Sequence, residues 1–186
     1  TGSLELNIVT QTITADHFKR WSDDRFAPEQ NLALLCGHPR SGTTLIEQVL
    51  DTHAGLISAD ETNVMSDEAY IPLGNHFPVT VTPTDMLDQS DPEHLQHARA
   101  TYLRMTEAFL REPIAGRVLL DKNPELTMIL PAIVRMFPEI KVMVALRDPR
   151  DVCLSCFMQP LPMNSVSASY LSIESTFRKY AAVMTT

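Results

Sequence analysis

The feature that most constrains this chain is a short apolar run that stops at a glycine and resumes as a helix. Leu32-Ala33-Leu34-Leu35-Cys36 is continuously apolar and ends at Gly37. A run of that length suits a strand covered on both faces, as in a parallel sheet. Leu45, Ile46, Val49 and Leu50 then recur at helical spacing, which predicts a helix from about Gly42 to Thr52. A loop between such a strand and such a helix lies at the strand's carboxyl end, where open parallel sheets bind their ligands.

The same alternation continues along the chain. Residues 54–58 form a weaker strand candidate, residues 118–120 a third strand, and residues 141–146 (KVMVAL) the clearest one. Between them, Asp91-Pro92-Glu93 carries the signals of a helix start, with Leu95, Ala98, Tyr102, Met105 and Phe109 as its stripe. A second helix opens at Asn123-Pro124, with Leu126, Ile129, Leu130, Ile133, Val134 and Phe137 on one side and Pro138 stopping it. A third follows Pro149, and a last one spans about 172–184 through Ile173, Phe177, Tyr180 and Met184. Pro72, Gly74, Pro78 and Pro83 make residues 70–90 a loop, a candidate flap over a site. Residues 1–30 read as a lead-in helix and linker, and 31–186 as one α/β domain.

Charge and cysteine usage narrow the partners. The net charge of −8 disfavours nucleic acid and anionic membrane surfaces, and no apolar run is long enough for a membrane span. Three cysteines and no visible leader point to reduced thiols and a cytoplasmic setting. Cys153-x-x-Cys156 has no second ligand pair and reads as two small apolar residues one turn apart. His38, His53 and His76 lack metal-ligand spacing, so no metal is expected.

The loop Gly37-His38-Pro39-Arg40-Ser41-Gly42-Thr43-Thr44 has the glycine spacing of a nucleotide P-loop, but Thr43 stands where that motif has lysine. Glycines let backbone wrap an anion, and the helix start favours negative charge. Arg40 brings a cation into the loop, and Thr43 and Thr44 bring hydroxyls. Without the lysine that reaches a nucleotide's terminal phosphates, the loop suits one phosphate bearing a single transferable group, without magnesium.

Pro39 to Leu45, followed by Leu50-Asp51-Thr52-His53, resembles the 5′-phosphosulfate loop of sulfotransferases that use 3′-phosphoadenosine 5′-phosphosulfate (PAPS). The likeness is greatest to the tyrosylprotein sulfotransferases and to bacterial relatives linked to tetratricopeptide repeats. It implies a P-loop-type three-layer α/β fold with a central parallel sheet flanked by helices. It also implies that Arg40, Ser41, Gly42, Thr43 and Thr44 hold the 5′ end of the donor. Arg147 ends a strand in Val144-Ala145-Leu146-Arg147-Asp148-Pro149-Arg150-Asp151, and Ser155 lies eight residues later. This pair resembles the family's 3′-phosphate site. Glu61, in Asp60-Glu61-Thr62, aligns with the family's general base, with Asp60 as the fallback. Lys122, in Leu120-Asp121-Lys122-Asn123-Pro124, aligns with the lysine near the donor's bridging oxygen.

The resemblance runs from about Leu32 to Met184 and implies a sulfotransferase domain lacking its C-terminal part. The products would be adenosine 3′,5′-bisphosphate and a sulfated hydroxyl on a small molecule, carbohydrate, lipid or peptide. An acidic peptide would be repelled by the net charge unless a local basic groove intervened. Two other readings remain open: a P-loop kinase using magnesium ATP, and a nucleotide-binding module without turnover.

Overall fold

The computed structural model describes residues 13–21, 27–159 and 167–185. Helix α1 (Ala15–Trp21) leads into β1 (Asn31–Gly37), the phosphate-type loop, α2 (Thr43–Leu50) and β2 (Leu56–Asp60). A π-helical turn (Met65–Tyr70) runs into α3 (Ile71–Gly74), followed by α4 (Pro83–Gln89) and α5 (Pro92–Leu110). Then come β3 (Val118–Lys122), a 3₁₀ segment (Pro124–Ile129), α6 (Leu130–Met136), β4 (Lys141–Ala145) and α7 (Pro149–Met158). A 3₁₀ turn (Ser167–Tyr170) and α8 (Ile173–Met184) close the described chain.

The four strands are all parallel, in the order β2-β3-β1-β4. Alternation of side chains divides them between two layers. Leu32, Leu34, Cys36, Ile57, Ala59 and Leu119 face the main core, built with Leu95, Ala98 and Tyr102 of α5 and with Ala132, Ile133 and Met136 of α6. Ala33, Leu35, Leu120 and Ala145 face the other way, with Leu50 of α2 packed against them. This is the parallel α/β architecture expected from the sequence.

Several local readings change. Residues 70–90 are not a loop: Pro83 opens α4, where a missing N–H costs nothing, Pro72 lies in α3, which continues the π-helical turn, and only residues 75–82 connect the two helices. Strand β2 begins and ends two residues later than expected, so that Asp60 closes it, and β3 extends to Lys122. The apolar stripes of α2 and α8 are shallow. Leu45, Val49, Ile173 and Phe177 are exposed, while Thr43, Glu47, Thr176 and Val183 are buried. Phe109 at the end of α5 is exposed too, and β4, the strand read most clearly, is an edge with Val142, Met143 and Val144 partly exposed.

The cap read at Asp91 is present, and α8 adds one that the sequence reading did not include. Asp91 accepts from the His94 N–H at 2.8 Å, and Ser172 and Ser175 form a capping box at the start of α8. Helix α1 is held from afar: Arg20 and the Trp21 indole N–H both donate to Asp88.

One core group couples folding to pH. Asp121 is fully buried on β3, where one carboxyl oxygen accepts from Tyr102 Oη at 2.9 Å and the other has no hydrogen-bond partner among the described residues. Burial pushes its pKa from the ordinary 3.8 to about 7, and the Tyr102 hydrogen bond offsets only part of that rise. A carboxyl raised in the native state binds protons on folding. Its contribution to stability is complete below about pH 4 and is lost as pH rises through 7. Asp121→Asn is therefore expected to remove ~1.4 kcal/mol per pH unit of downward slope across that window. Urea denaturation of native and variant protein at pH 5 and pH 8 measures it.

Candidate active site

Three chain segments, together with Lys122 at the end of β3, gather at the carboxyl ends of the four described strands. The first is the loop after β1. Gly37 has φ 134°, and a Cβ there would lie 2.7 Å from Ala145 O, so close packing against β4 demands glycine. Thr127 grips the same residue: its Oγ1 accepts from the Gly37 N–H at 2.8 Å and lies 2.9 and 2.8 Å from Gly37 O and Pro124 O. Arg40 has φ 71° and Gly42 φ 102°, left-handed conformations that curl the loop toward α2. Gly42 caps α2 without a side-chain acceptor, and the Ile46 N–H makes the bond to Gly42 O. The first-turn amides therefore point outward along the helix axis, as an anion requires.

Ser41 is buried in this loop, and its Oγ has no hydrogen-bond partner among the described residues. A buried hydroxyl left unpaired costs roughly 1–3 kcal/mol, so the loop is one polar contact short without a ligand. Thr43 is buried and Thr44 exposed. His38 is fully enclosed beside Tyr170 and Tyr180. Burial lowers its pKa, opposed by the Pro39 carbonyl and assisted by Lys179. The ring is a neutral packing element.

The second segment is the end of β2 with the residue that follows. Asp60 and Lys122 are directly paired in the β2–β3 register. Lys122 is 1% exposed, and its Nζ lies 2.5 Å from Asp60 Oδ1, 2.7 Å from Glu61 Oε1 and 3.3 Å from Thr44 Oγ1. Burial opposes its charge, but the hydrogen bonds and charges of Asp60 and Glu61 prevail and hold its pKa above the ordinary lysine value. Glu61 adopts φ 47°, and its N–H donates to Lys122 O at 2.7 Å. A non-glycine residue held there stores about 1–3 kcal/mol. Asn123 keeps the turn in place by donating to Thr62 O at 2.9 Å.

The third segment joins β4 to α7. Ser155 Oγ accepts from Arg40 Nε at 3.2 Å, and Arg147 approaches Arg40 O at 3.5 Å while pairing with Asp151. Arg40 thus joins the loop to both residues of the expected second anchor. Arg150 instead turns back onto Asp148, whose carboxyl it holds far below the usual range. Cys153 and Cys156 are buried in α7, and burial pushes both thiols up, Cys156 to about 11, which suits packing rather than reactivity.

The structure therefore gathers Arg40, Ser41, Gly42, Thr43 and Thr44 in one loop, joins Glu61 to Lys122, and brings Arg147 and Ser155 to Arg40. Sequence reasoning missed two participants. Asp60, kept only as a fallback base, is an ion-pair partner of Lys122, and Thr127 clamps the loop after β1 from 90 residues away. Asp60 could have been found by extending the alternation of Leu56 and Ser58, which places it on the face shared with Leu120 and Lys122. Nothing local marks Thr127. Among the described residues, no helix is long and apolar enough to cross a membrane.

A four-stranded parallel sheet carrying an anion-type loop after β1, with a buried lysine and two carboxylates beside it, defines a P-loop-type α/β domain. Residues 33–185 match the model of the sulfotransferase family, and the chain belongs to that family. It is also similar to a Caenorhabditis briggsae protein named "Putative protein-tyrosine sulfotransferase", with 26% identity over 140 residues. That match covers 75% of this chain and 48% of the relative, so the chain spans about half the length of the curated relative it matches.

Proposed function

We propose that this domain transfers a sulfuryl group from PAPS to an acceptor hydroxyl. The observation that carries the reading is the Lys122–Glu61 pair, held at 2.7 Å beside the loop hydroxyl of Thr44. A cation and a proton acceptor side by side at the loop support a reaction in which one bond to sulfur breaks and another forms. The loop fits the donor's 5′ end: outward amides, the Arg40 guanidinium and the unpaired Ser41 hydroxyl all offer contacts to an anion. Arg147 and Ser155 would hold the 3′-phosphate.

Each residue then has a task. Glu61 takes the proton from the acceptor hydroxyl as its oxygen attacks sulfur. The bond from sulfur to the bridging oxygen breaks, and its electron pair stays on the phosphate of the departing adenosine 3′,5′-bisphosphate. Lys122 meets that developing charge. The loop and the second anchor contribute by positioning. The similar Caenorhabditis briggsae protein's name speaks of protein tyrosine, which makes a phenolic hydroxyl the first acceptor to try, ahead of carbohydrate, lipid and other small molecules.

Thermal melting with adenosine 3′,5′-bisphosphate, with 5′-AMP, and with magnesium ATP tests the donor. Bisphosphate at ~100 times its dissociation constant adds roughly 2.7 kcal/mol. Stabilisation by bisphosphate without metal is expected, and stabilisation by magnesium ATP alone would sink the reading in favour of a kinase. Arg147→Ala should weaken bisphosphate roughly ten- to hundredfold, the loss of a hydrogen-bonded charge, and leave 5′-AMP nearly unchanged. Equal losses for both ligands would remove Arg147 from the 3′ site.

A further inference from the structure

The two carboxylates on Lys122 are equally open to solvent, at 57% for Asp60 and 58% for Glu61, so exposure does not say which one serves the acceptor. Their backbones do. Asp60 is the last residue of β2, locked in register opposite Lys122, and makes the shorter contact. Glu61 lies one residue beyond the strand, in a left-handed conformation that turns it out of the sheet.

An ammonium has three protons to donate, and Asp60, Glu61 and Thr44 accept all three. Two carboxylates against one ammonium leave a net charge of −1. When Glu61 takes a proton it becomes neutral, and Asp60 alone then balances Lys122. A lysine with Glu61 as its sole counter-ion would instead hold that carboxylate tightly and away from an acceptor.

We propose that Asp60 is a positioning residue, which anchors and neutralises Lys122 so that Glu61 is free to act on the acceptor hydroxyl. The inference rests on the sulfotransferase reading, which the native protein tests first. Native protein is expected to bind adenosine 3′,5′-bisphosphate in calorimetry and to release it from PAPS, with water or a phenol as acceptor. A native protein that does neither overturns the sulfotransferase reading, and the role of Asp60 with it.

Given a working native protein, Asp60→Asn should separate the two measurements. Binding of bisphosphate should hold or tighten, because a negative charge has left the surroundings of an anion. Turnover should fall roughly ten- to hundredfold, because the amide can still accept from Lys122 but no longer balances its charge, which leaves Glu61 as the sole counter-ion. Asp60→Glu, which restores the charge, should recover part of it. A purely structural role would move binding, turnover and melting temperature down together, and that result overturns the proposal. So does unchanged or increased turnover in Asp60→Asn, which would mean that Asp60 is idle or withholds Lys122 from the leaving group.

Discussion

Glu61→Gln should reduce sulfuryl transfer by roughly 10²- to 10⁴-fold, the range for loss of a positioned general base, while bisphosphate still binds. The amide keeps the shape of the carboxylate and can still accept from Lys122 Nζ, now 2.7 Å from Glu61 Oε1. The strained turn should survive, because the Glu61 N–H bond to Lys122 O and the Asn123 bond to Thr62 O do not involve the Glu61 side chain. What disappears is the ability to take a proton. The check is single-turnover transfer to a phenolic acceptor beside calorimetric binding of the bisphosphate. Retained transfer in Glu61→Gln would shift the base role to Asp60 and undo the division between the two carboxylates.

Lys122→Met should lower turnover by roughly 10²- to 10³-fold, as for other groups aimed at charge that develops in the transition state. It should also destabilise the fold, which Glu61→Gln should not. Lys122 is 1% exposed and ties β2, the turn after it and α2 together through Asp60, Glu61 and Thr44. Methionine fills the slot but leaves two carboxylates facing each other without a cation. Melting temperature and transfer rate, measured together, separate the two effects. Because Lys122 and Glu61 touch, the double variant should lose far less than the product of the single losses. Multiplicative losses would mean that the two residues act independently.

What sequence could and could not reveal follows the reach of each signal. Proline misled at 70–90 because it is both a loop former and a first-turn helix residue, and only packing of Leu73, Met86 and Leu87 into the main core decides between them. The α2 stripe was read correctly as helical, but amphipathic spacing predicts a face, not a partner. Among the described residues, Leu45 and Val49 remain exposed. The end of β3 was placed two residues short because Asp121 and Lys122 are charged, and strand propensity does not anticipate a buried carboxyl or a buried ammonium.

Local sequence was enough to read the parallel α/β class, the glycine loop carrying Arg40 through Thr44, and the cap of α5. All of these depend on residues within a few positions of one another, where backbone sterics and local hydrogen bonds act. It takes the folded chain to join Asp60 with Glu61 on Lys122, to set Thr127 against Gly37, and to bring Arg40 to Ser155. Those contacts close over 61, 90 and 115 residues for Glu61–Lys122, Gly37–Thr127 and Arg40–Ser155. Their geometry is set by sheet order and register, which bring distant strand ends together and which local sequence does not specify.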